Sequence, residues 1–346
     1  MDFDLVIIGS GPGGYVAAIR GAQLGLNVAI IEKEALGGIC LNWGCIPTKS
    51  FLRSAEVLKI IKNSEKYGIK SELGHVDIRE VVKRSRSIAK KLSNGVQYLL
   101  KKNKVKIFYG EASFKSSKSI KIKSKNNTIK EISSENICIA SGGRPREISG
   151  ISNANSVWFY KEALQVDKIP NKLLVVGSGA IGVEFASFFA QMGSDVSLLE
   201  SKPTILPNED LDVSNFVEKQ FLNRGIKIYK NHSLLSFREK GGLFEAELKS
   251  KDKMLSLEFE KAILAVGIVG NIENLNLEKV NIKCSNDSIV VDELCRTNVD
   301  NIYAIGDVAN PPWLAHKASH EGISVAEQVA GLEVHPIKKD RIPACT

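Results

Sequence analysis

Two cysteines that lie close together in the sequence are the residues best suited to chemistry. Cys40 and Cys45 lie in the stretch Gly-Gly-Ile-Cys-Leu-Asn-Trp-Gly-Cys-Ile-Pro-Thr-Lys. Residues five apart on a regular helix have Cα atoms about 8.6 Å apart, beyond the limit of roughly 7 Å for a disulfide. A bond between these cysteines therefore requires an irregular turn, which Gly44 and Pro47 can provide. A distorted, accessible disulfide is the redox-active kind.

Two other interpretations of this pair stay open: two free thiols, or half of a zinc site. A helix N-terminus with Lys49 nearby would stabilise a thiolate and favours redox chemistry. Zinc would require two further ligands at recognisable spacing, and the sequence has neither a second close cysteine pair nor a clustered histidine pair. The other four cysteines are predicted to be thiols without a chemical role: Cys138, Cys284, Cys295 and Cys345.

A strand–turn–helix–strand pattern precedes the cysteines. An apolar strand leads into a glycine-rich turn, a helical pattern follows, and a second strand ends the unit. Gly9 permits the tight turn, Gly11 lets the backbone approach a pyrophosphate, and Gly14 lets the helix pack on the strand. The second strand ends at Glu32, whose carboxylate can accept hydrogen bonds from a ribose diol. Together these features predict a dinucleotide site.

The same unit recurs later in the chain, with Gly177, Gly179 and Gly182 in the turn and Glu200 at the end of the second strand. In both copies the acid follows the first glycine by 23 residues. Two dinucleotide sites in one chain predict an electron carrier between two dinucleotides. Glu200 favours NAD over NADP because a carboxylate repels a 2′-phosphate, whereas Lys202 keeps NADP open.

Three strand-like segments between the repeats, at 106–109, 120–122 and 137–139, predict a small antiparallel insertion. The sequence around Gly142 closes this insertion, and a similar sequence around Gly267 closes a corresponding one in the second unit. These two glycines either end strands or bring the backbone close to a cofactor.

Length and composition exclude several classes of protein. The chain has 346 residues, of which 43% are hydrophobic, 7% aromatic and 25% charged, which excludes disorder, collagen and a small disulfide scaffold. The apolar run 173–192 is interrupted by three glycines and Glu184, so no membrane span is predicted. Asp2 and Asp4 stand where a secretory signal needs positive charge. We therefore predict a cytoplasmic protein.

The net charge of +8 comes from one region, because residues 59–130 contain 20 Lys and Arg against 5 Asp and Glu. Part of this region, 78–100, has apolar residues at helical spacing with lysines between them. Aromatic residues do not interleave with the basic ones and no nucleic-acid motif is present, so a solvated helix face is favoured over a polyanion site.

The cysteine segment, placed shortly after the first dinucleotide unit, resembles the pyridine nucleotide–disulfide oxidoreductases. Three further features match that family: Gly-x-Gly-x-x-Gly-x-Glu ending at Glu184, Tyr-Ala-Ile-Gly-Asp ending at Asp307, and Leu-Ala-His-Lys-Ala beginning at Leu314. Cys-Leu-Asn-Trp-Gly-Cys and Ala-His-Lys-Ala are closer to the lipoamide branch than to glutathione or mercury reductases. The resemblance extends from residue 2 to the last residues.

The resemblance implies that FAD lies along the first repeat and NAD along the second, on opposite faces of the flavin. The implied FAD contacts are Gly9, Gly11, Gly14, Glu32, Gly142, Asp307 and Ala315. The implied NAD contacts are Gly177, Gly179, Gly182, Glu200 and Gly267.

The resemblance also implies roles for the catalytic residues. Cys40 would exchange with the dithiol substrate, and Cys45 would contact the flavin. Lys49 would pair with Glu184 near the flavin N5 edge. Without the family, these two could be an unrelated surface lysine and a helix carboxylate, although an ionised residue in so apolar a helix needs a partner. His316 is more typical of a helix anchor than of a proton acceptor.

The predicted fold class is α/β, with two doubly wound, Rossmann-like dinucleotide-binding domains that each carry a small antiparallel β insertion. We expect an FAD domain at 1–146, an NAD domain at 147–270 and the completion of the FAD domain at 271–346. In the family a C-terminal interface domain follows, which builds a homodimer and supplies a His–Glu base. We expect this domain to be absent from the sequence, which ends at Thr346.

The resemblance implies oxidation of dihydrolipoamide on the acyltransferase of a 2-oxo-acid dehydrogenase complex, with NAD as acceptor and with no nucleic-acid or membrane partner. Without the interface domain, the chain alone is expected to show only partial activity, such as electron transfer from NADH to a dye. Two alternatives stay open: a disulfide reductase of the same family that uses NADH or NADPH, and a non-catalytic fragment that binds FAD and NAD.

Overall fold

The structure is a computed structural model that describes residues 1–72, 74–152, 154–240, 243–251 and 253–346. The chain forms two compact units. The first unit consists of Met1–Cys45, Ala89–Arg144 and Val269–Ala344. The second consists of Ile46–Ile88, Pro145–Ile268 and Cys345–Thr346.

The helices of the described residues are α1 (Pro12–Gln23), α2 (Gly38–Trp43), α3 (Cys45–Lys62), α4 (Ile78–Lys102), α5 (Tyr160–Ala163), α6 (Ala180–Met192), α7 (Leu211–Leu222) and α8 (Ala315–Val329). Short 3-10 turns lie at Ser64–Tyr67, Leu277–Val280, Gly306–Val308 and Lys339–Arg341. None of the helices in the described part of the chain is long and apolar enough to span a membrane.

The strands of the described residues are β1 (Phe3–Ile8), β2 (Val28–Glu32), β3 (Lys106–Tyr109), β4 (Glu111–Ser116), β5 (Ser119–Lys123), β6 (Ile129–Ile139), β7 (Gly143–Pro145), β8 (Val157–Trp158), β9 (Lys172–Val176), β10 (Asp195–Glu200), β11 (Lys227–Lys230), β12 (Ser233–Lys240), β13 (Leu243–Ser250), β14 (Lys253–Phe259), β15 (Lys261–Leu264), β16 (Ile268–Gly270), β17 (Cys284–Ser285), β18 (Ser288–Ile289) and β19 (Ile302–Ala304).

The sheet of the first unit has the strand order β3-β2-β1-β6-β5-β4, with β19 also paired to β6. Strands β3, β2, β1, the second half of β6 and β19 are parallel. The first half of β6 pairs antiparallel with β5, and β5 pairs antiparallel with β4. An antiparallel insertion thus extends one edge of a parallel sheet.

The prediction that 106–109 and 137–139 belong to the antiparallel insertion is wrong. Residues 137–139 lie in the half of β6 that pairs parallel with β1 and β19. β3 pairs parallel with β2, with Ala29 opposite Lys106. The physical reason is the connection: the chain passes from β2 through long helices, including α4, before it enters β3. Such a crossover returns the chain to the sheet in the same direction. The antiparallel pairing predicted around 120–122 is confirmed in β5.

The sheet of the second unit has the order β11-β10-β9-β15-β8, and its pairs are all parallel. Strands β12, β13 and β14 form a separate antiparallel sheet. Phe185, Phe188 and Phe189 of α6 are buried in the core of this unit. Both units therefore have the predicted α/β class, each with a parallel sheet and antiparallel strands.

Helix α4 has the predicted amphipathic character along most of its length. Ile78, Ala89, Val96 and Leu100 are buried, as the periodicity predicts. Leu92 and Leu99 are exposed although the same pattern places them on the apolar face.

Candidate functional site

The first glycine-rich turn connects β1 to α1, and each of its three predicted glycines has a definite steric reason. Gly9 has φ +103°, and a Cβ there would collide with the carbonyl oxygen of Ala140. A Cβ at Gly14 would collide with the carbonyl oxygen of Gly9, so α1 packs closely on the turn. A Cβ at Gly11 would meet nothing within 4 Å. The open face at Gly11, just before the N-terminus of α1, is suited to a phosphate.

Glu32 ends β2 as predicted, and its carboxylate is buried. Its Oε2 accepts hydrogen bonds from the Ser10 amide at 3.0 Å and from the Ser10 hydroxyl at 2.6 Å. Its Oε1 accepts one from the Glu34 amide at 2.7 Å. These bonds fix the acid against the glycine turn.

The second glycine-rich turn, between β9 and α6, repeats the steric arrangement of the first. Gly177 has φ +96°, a Cβ at Gly182 would collide with the Gly177 carbonyl oxygen, and a Cβ at Gly179 would meet nothing within 4 Å. The repeat seen in the sequence is thus also a repeat in three dimensions.

The acid of the second repeat, Glu200, is held in the same way as Glu32. Its Oε2 accepts bonds from the Ser178 amide at 3.0 Å and the Ser178 hydroxyl at 2.6 Å. Its Oε1 accepts bonds from the Lys202 amide at 2.8 Å and the Ser201 hydroxyl at 3.2 Å. Sequence reasoning found both acids but missed both serines, for which the Gly-Ser-Gly sequence common to the two turns is a signal.

Alanine is expected to have different effects at the crowded and the open glycine of the second turn. Gly182→Ala is expected to destabilise the protein, since its Cβ would collide with backbone and a helix or turn must shift. Gly179→Ala is expected to leave folding nearly intact, because its Cβ enters open space, but to weaken dinucleotide binding there. Urea denaturation followed by circular dichroism checks the first effect, and NADH titration checks the second. Equal destabilisation by both substitutions would contradict this division.

Cys40 and Cys45 form a disulfide, with Cα atoms 4.8 Å apart. Cys40 lies in α2 and Cys45 begins α3, and Gly44 separates the two helices with φ −135° and ψ −112°. The irregular turn that the spacing requires is confirmed, and it is a break between two helices. Because Cys45 occupies the N-terminal position of α3, the helix dipole would stabilise its thiolate after reduction.

The disulfide segment lies against the first glycine-rich turn. The amide of Gly37 donates to the Ser10 carbonyl at 3.0 Å. Gly38, with φ +61°, approaches so closely that a Cβ there would lie 2.7 Å from Cα of Gly11. The first unit therefore places the redox-active sulfurs on a segment that packs against the turn predicted to bind a dinucleotide.

The predicted pair of Lys49 and Glu184 is present, with Lys49 Nζ 2.6 Å from Glu184 Oε1. The lysine lies on α3 and the glutamate on α6, and the ring centroids of Phe51 and Phe188 lie 4.6 Å apart on the same two helices. The Glu184 side chain is 11% exposed and that of Lys49 is 51% exposed. The ammonium group is thus held at one position yet open to a partner.

Asp307 lies in the 3-10 turn Gly306–Val308, which follows β19. Burial raises the pKa of Asp307 to about 6, while the nearby Lys317 ammonium acts in the opposite direction and Glu321 adds to the rise. An acid held in this way is suited to a hydrogen bond with a ligand hydroxyl.

A buried ion pair beside Asp307 escaped the sequence analysis. Lys317 Nζ lies 2.7 Å from Glu321 Oε1 and donates to the Asn310 carbonyl at 2.7 Å. Glu321 Oε2 accepts from the Gly306 amide at 2.8 Å. These bonds tie α8 to the turn that carries Asp307. Their only sequence signal is a lysine and a glutamate four residues apart in a helix.

The remaining predicted positions lie at turns and at one helix start. Gly142 and Gly267 have φ +72° and +103°, and a Cβ at either would meet nothing within 4 Å. Ala315 is the first residue of α8. The His316 Nε2 lies 2.9 Å from the Pro343 carbonyl oxygen, which agrees with an anchoring role. Among the residues with described positions, no cluster of three metal-ligating side chains occurs.

The family model described as pyridine nucleotide-disulphide oxidoreductase matches residues 3–322. The chain belongs to this family. Two curated relatives of the chain are named dihydrolipoyl dehydrogenase. The Zymomonas mobilis protein is 47% identical, and the alignment covers 99% of this chain and 74% of that protein. The Rhizobium etli protein is 46% identical, with 99% and 75% covered.

Solved structures of the family agree with the fold. LpdA from Mycobacterium tuberculosis superposes with a TM-score of 0.90 at 25% identity, covering 97% of this chain and 74% of LpdA. The flavoprotein disulfide reductase RclA from Escherichia coli gives 0.83 at 26% identity, covering 95% and 70%. The chain is therefore an oxidoreductase with a disulfide redox centre.

Members of this family bind FAD and NAD, and the residues present fit two such cofactors. Each unit has one glycine-rich turn with an open face at a helix start, which is where a pyrophosphate binds. Each also has one buried carboxylate at the end of the following strand.

Proposed function

We propose that this enzyme oxidises dihydrolipoamide to lipoamide with NAD as the acceptor. The observation that carries the proposal is the Cys40–Cys45 disulfide at the start of α3, on a segment packed against the first glycine-rich turn. The relatives named dihydrolipoyl dehydrogenase support this substrate. The proposed partner is the acyltransferase of a 2-oxo-acid dehydrogenase complex, in the cytoplasm, and the proposed assembly is a homodimer.

The proposal assigns FAD to the first unit and NAD to the second. FAD would contact Gly9, Gly11, Gly14, Glu32, Gly142, Asp307 and Ala315. NAD would contact Gly177, Gly179, Gly182, Glu200 and Gly267. The geometry of the two turns, with their open faces at Gly11 and Gly179, supports the assignment.

The thiol chemistry is carried by the two cysteines. A substrate thiolate attacks Cys40 Sγ, the Cys40–Cys45 bond breaks, and Cys45 leaves as a thiolate. The second substrate thiol then attacks the sulfur bonded to Cys40, which releases lipoamide and leaves two reduced cysteines. The position of Cys45 at a helix N-terminus favours it as leaving group. When bound, FAD supplies the two-electron transfer that reoxidises the dithiol and reduces NAD.

Lys49 would supply positive charge to this reaction, and Glu184 would position it. A fixed ammonium favours an anionic reduced cofactor. The 2.6 Å contact with Glu184 holds Lys49 Nζ in place. Because Lys49 is half exposed, its charge is available to a bound group.

Thiol counting during anaerobic reduction tests the proposal. Addition of NADH to the FAD-loaded protein is expected to expose two more thiols per chain to a thiol reagent, because the disulfide is reduced. The exposed Cys284 and Cys345 set the background, which is measured without NADH. A Cys40→Ser, Cys45→Ser double variant should show no increase. A wild-type protein that holds FAD, reacts with NADH and gains no thiols would contradict the proposal.

A further inference from the structure

We infer that Ser178 is a positioning residue for the dinucleotide of the second unit, and that Ser10 has the same role in the first. Each serine holds the carboxylate of its repeat, Glu200 or Glu32, so that one oxygen is kept for the ligand. The inference rests on the proposed assignment of the two cofactors.

The two serines are bound identically although their repeats differ in sequence. Both are completely buried and lie between the first two glycines of their turns. Each donates its amide at 3.0 Å and its hydroxyl at 2.6 Å to the same oxygen, Oε2, of its acid. The same three-atom arrangement at the same distances in two turns points to a shared role in binding.

Hydrogen-bond capacity shows what this arrangement does. A carboxylate oxygen accepts about two hydrogen bonds. Ser10 and Ser178 each fill both positions on Oε2, which leaves Oε1 as the oxygen that can accept from a ribose hydroxyl. The serine also fixes the carboxylate to the turn that would bind the pyrophosphate, so both contacts with one ligand are set by one residue.

The two acids differ at Oε1, and the difference matches the two proposed cofactors. On Glu32, the Glu34 amide is the one donor to Oε1 among the described residues. On Glu200, the Ser201 hydroxyl occupies a second position at 3.2 Å, and Ser201 is exposed. A ligand hydroxyl must displace Ser201 there but finds an open position on Glu32. This agrees with a retained cofactor in the first unit and an exchanging one in the second.

Ser178→Ala in the FAD-loaded enzyme tests the inference. We expect the KM for NADH to rise about tenfold, the size expected for one hydrogen bond to a charged group. The kcat should change little, because Ser178 does not touch the reacting atoms, and FAD content should equal that of the wild type. Ser10→Ala is the counterpart in the first unit, where the expected effect is faster loss of FAD. General unfolding would move both quantities in both variants.

A double-mutant cycle checks that Ser178 acts through its acid. In a Glu200→Ala background, Ser178→Ala should raise the KM for NADH no further. An equal rise in both backgrounds, or no rise in either, would overturn the inference. A wild-type protein that reduces no dye with NADH would instead overturn the proposed function, so this activity is measured first.

Discussion

Cys40→Ser is expected to lower dihydrolipoamide oxidation by at least about a thousandfold, as for the loss of a residue that forms the covalent intermediate and that no other residue replaces. The serine hydroxyl cannot form the mixed disulfide, and Cys45 then has no partner for reoxidation. Electron transfer from NADH to a dye should persist, because it needs neither sulfur. The measurement is the steady-state rate with dihydrolipoamide and NAD, beside the rate with NADH and dye.

Two controls make this result specific. Cys45→Ser should also abolish dihydrolipoamide oxidation, which separates a need for both sulfurs from a need for one thiol. Cys284→Ser removes an exposed free thiol and should leave both rates at the wild-type level. Dihydrolipoamide oxidation by Cys40→Ser near the wild-type rate would show that substrate reduction does not pass through the disulfide.

The features predicted from sequence are those for which chemistry restricts the residue type. Gly9 and Gly177 have positive φ and lie against the backbone of another segment, so only glycine fits there. The glycine pattern can therefore be recognised in the sequence. The disulfide was one of three interpretations of the cysteine pair. What the spacing of five predicted is that such a bond requires a break in the helix, and the break lies at Gly44.

The features that escaped prediction depend on contacts distant in sequence. The predicted orientation of β3 was wrong because a short apolar segment does not indicate which strand it will pair with. Serine is common in turns, so the sequence does not single out Ser178. The fold shows that its hydroxyl donates to Glu200. A lysine such as Lys317 is usually found on a helix surface. It is buried here because it forms an ion pair with Glu321 and donates to the Asn310 carbonyl.

Lys317→Met is expected to have the largest effect on stability, lowering the free energy of unfolding by about 3–5 kcal/mol. The Lys317 and Glu321 side chains are 5% and 8% exposed, so removal of the lysine leaves a buried carboxylate without its counter-charge. The turn with Asp307 should loosen as well, since Glu321 also accepts from the Gly306 amide. The measurements are the urea midpoint and the FAD retained after gel filtration.

Two further variants test whether the buried charge is the cause of this loss. Lys317→Met combined with Glu321→Gln should recover much of the stability, because the uncharged amide oxygen still accepts from Gly306. Lys83→Met breaks an exposed ion pair with Glu80, whose side chains are 74% and 65% exposed, and should leave the midpoint almost unchanged. If Lys317→Met were as mild as Lys83→Met, the buried pair would not be what holds α8 to the Asp307 turn. If the double variant were less stable than Lys317→Met alone, lost packing rather than uncompensated charge would explain the effect.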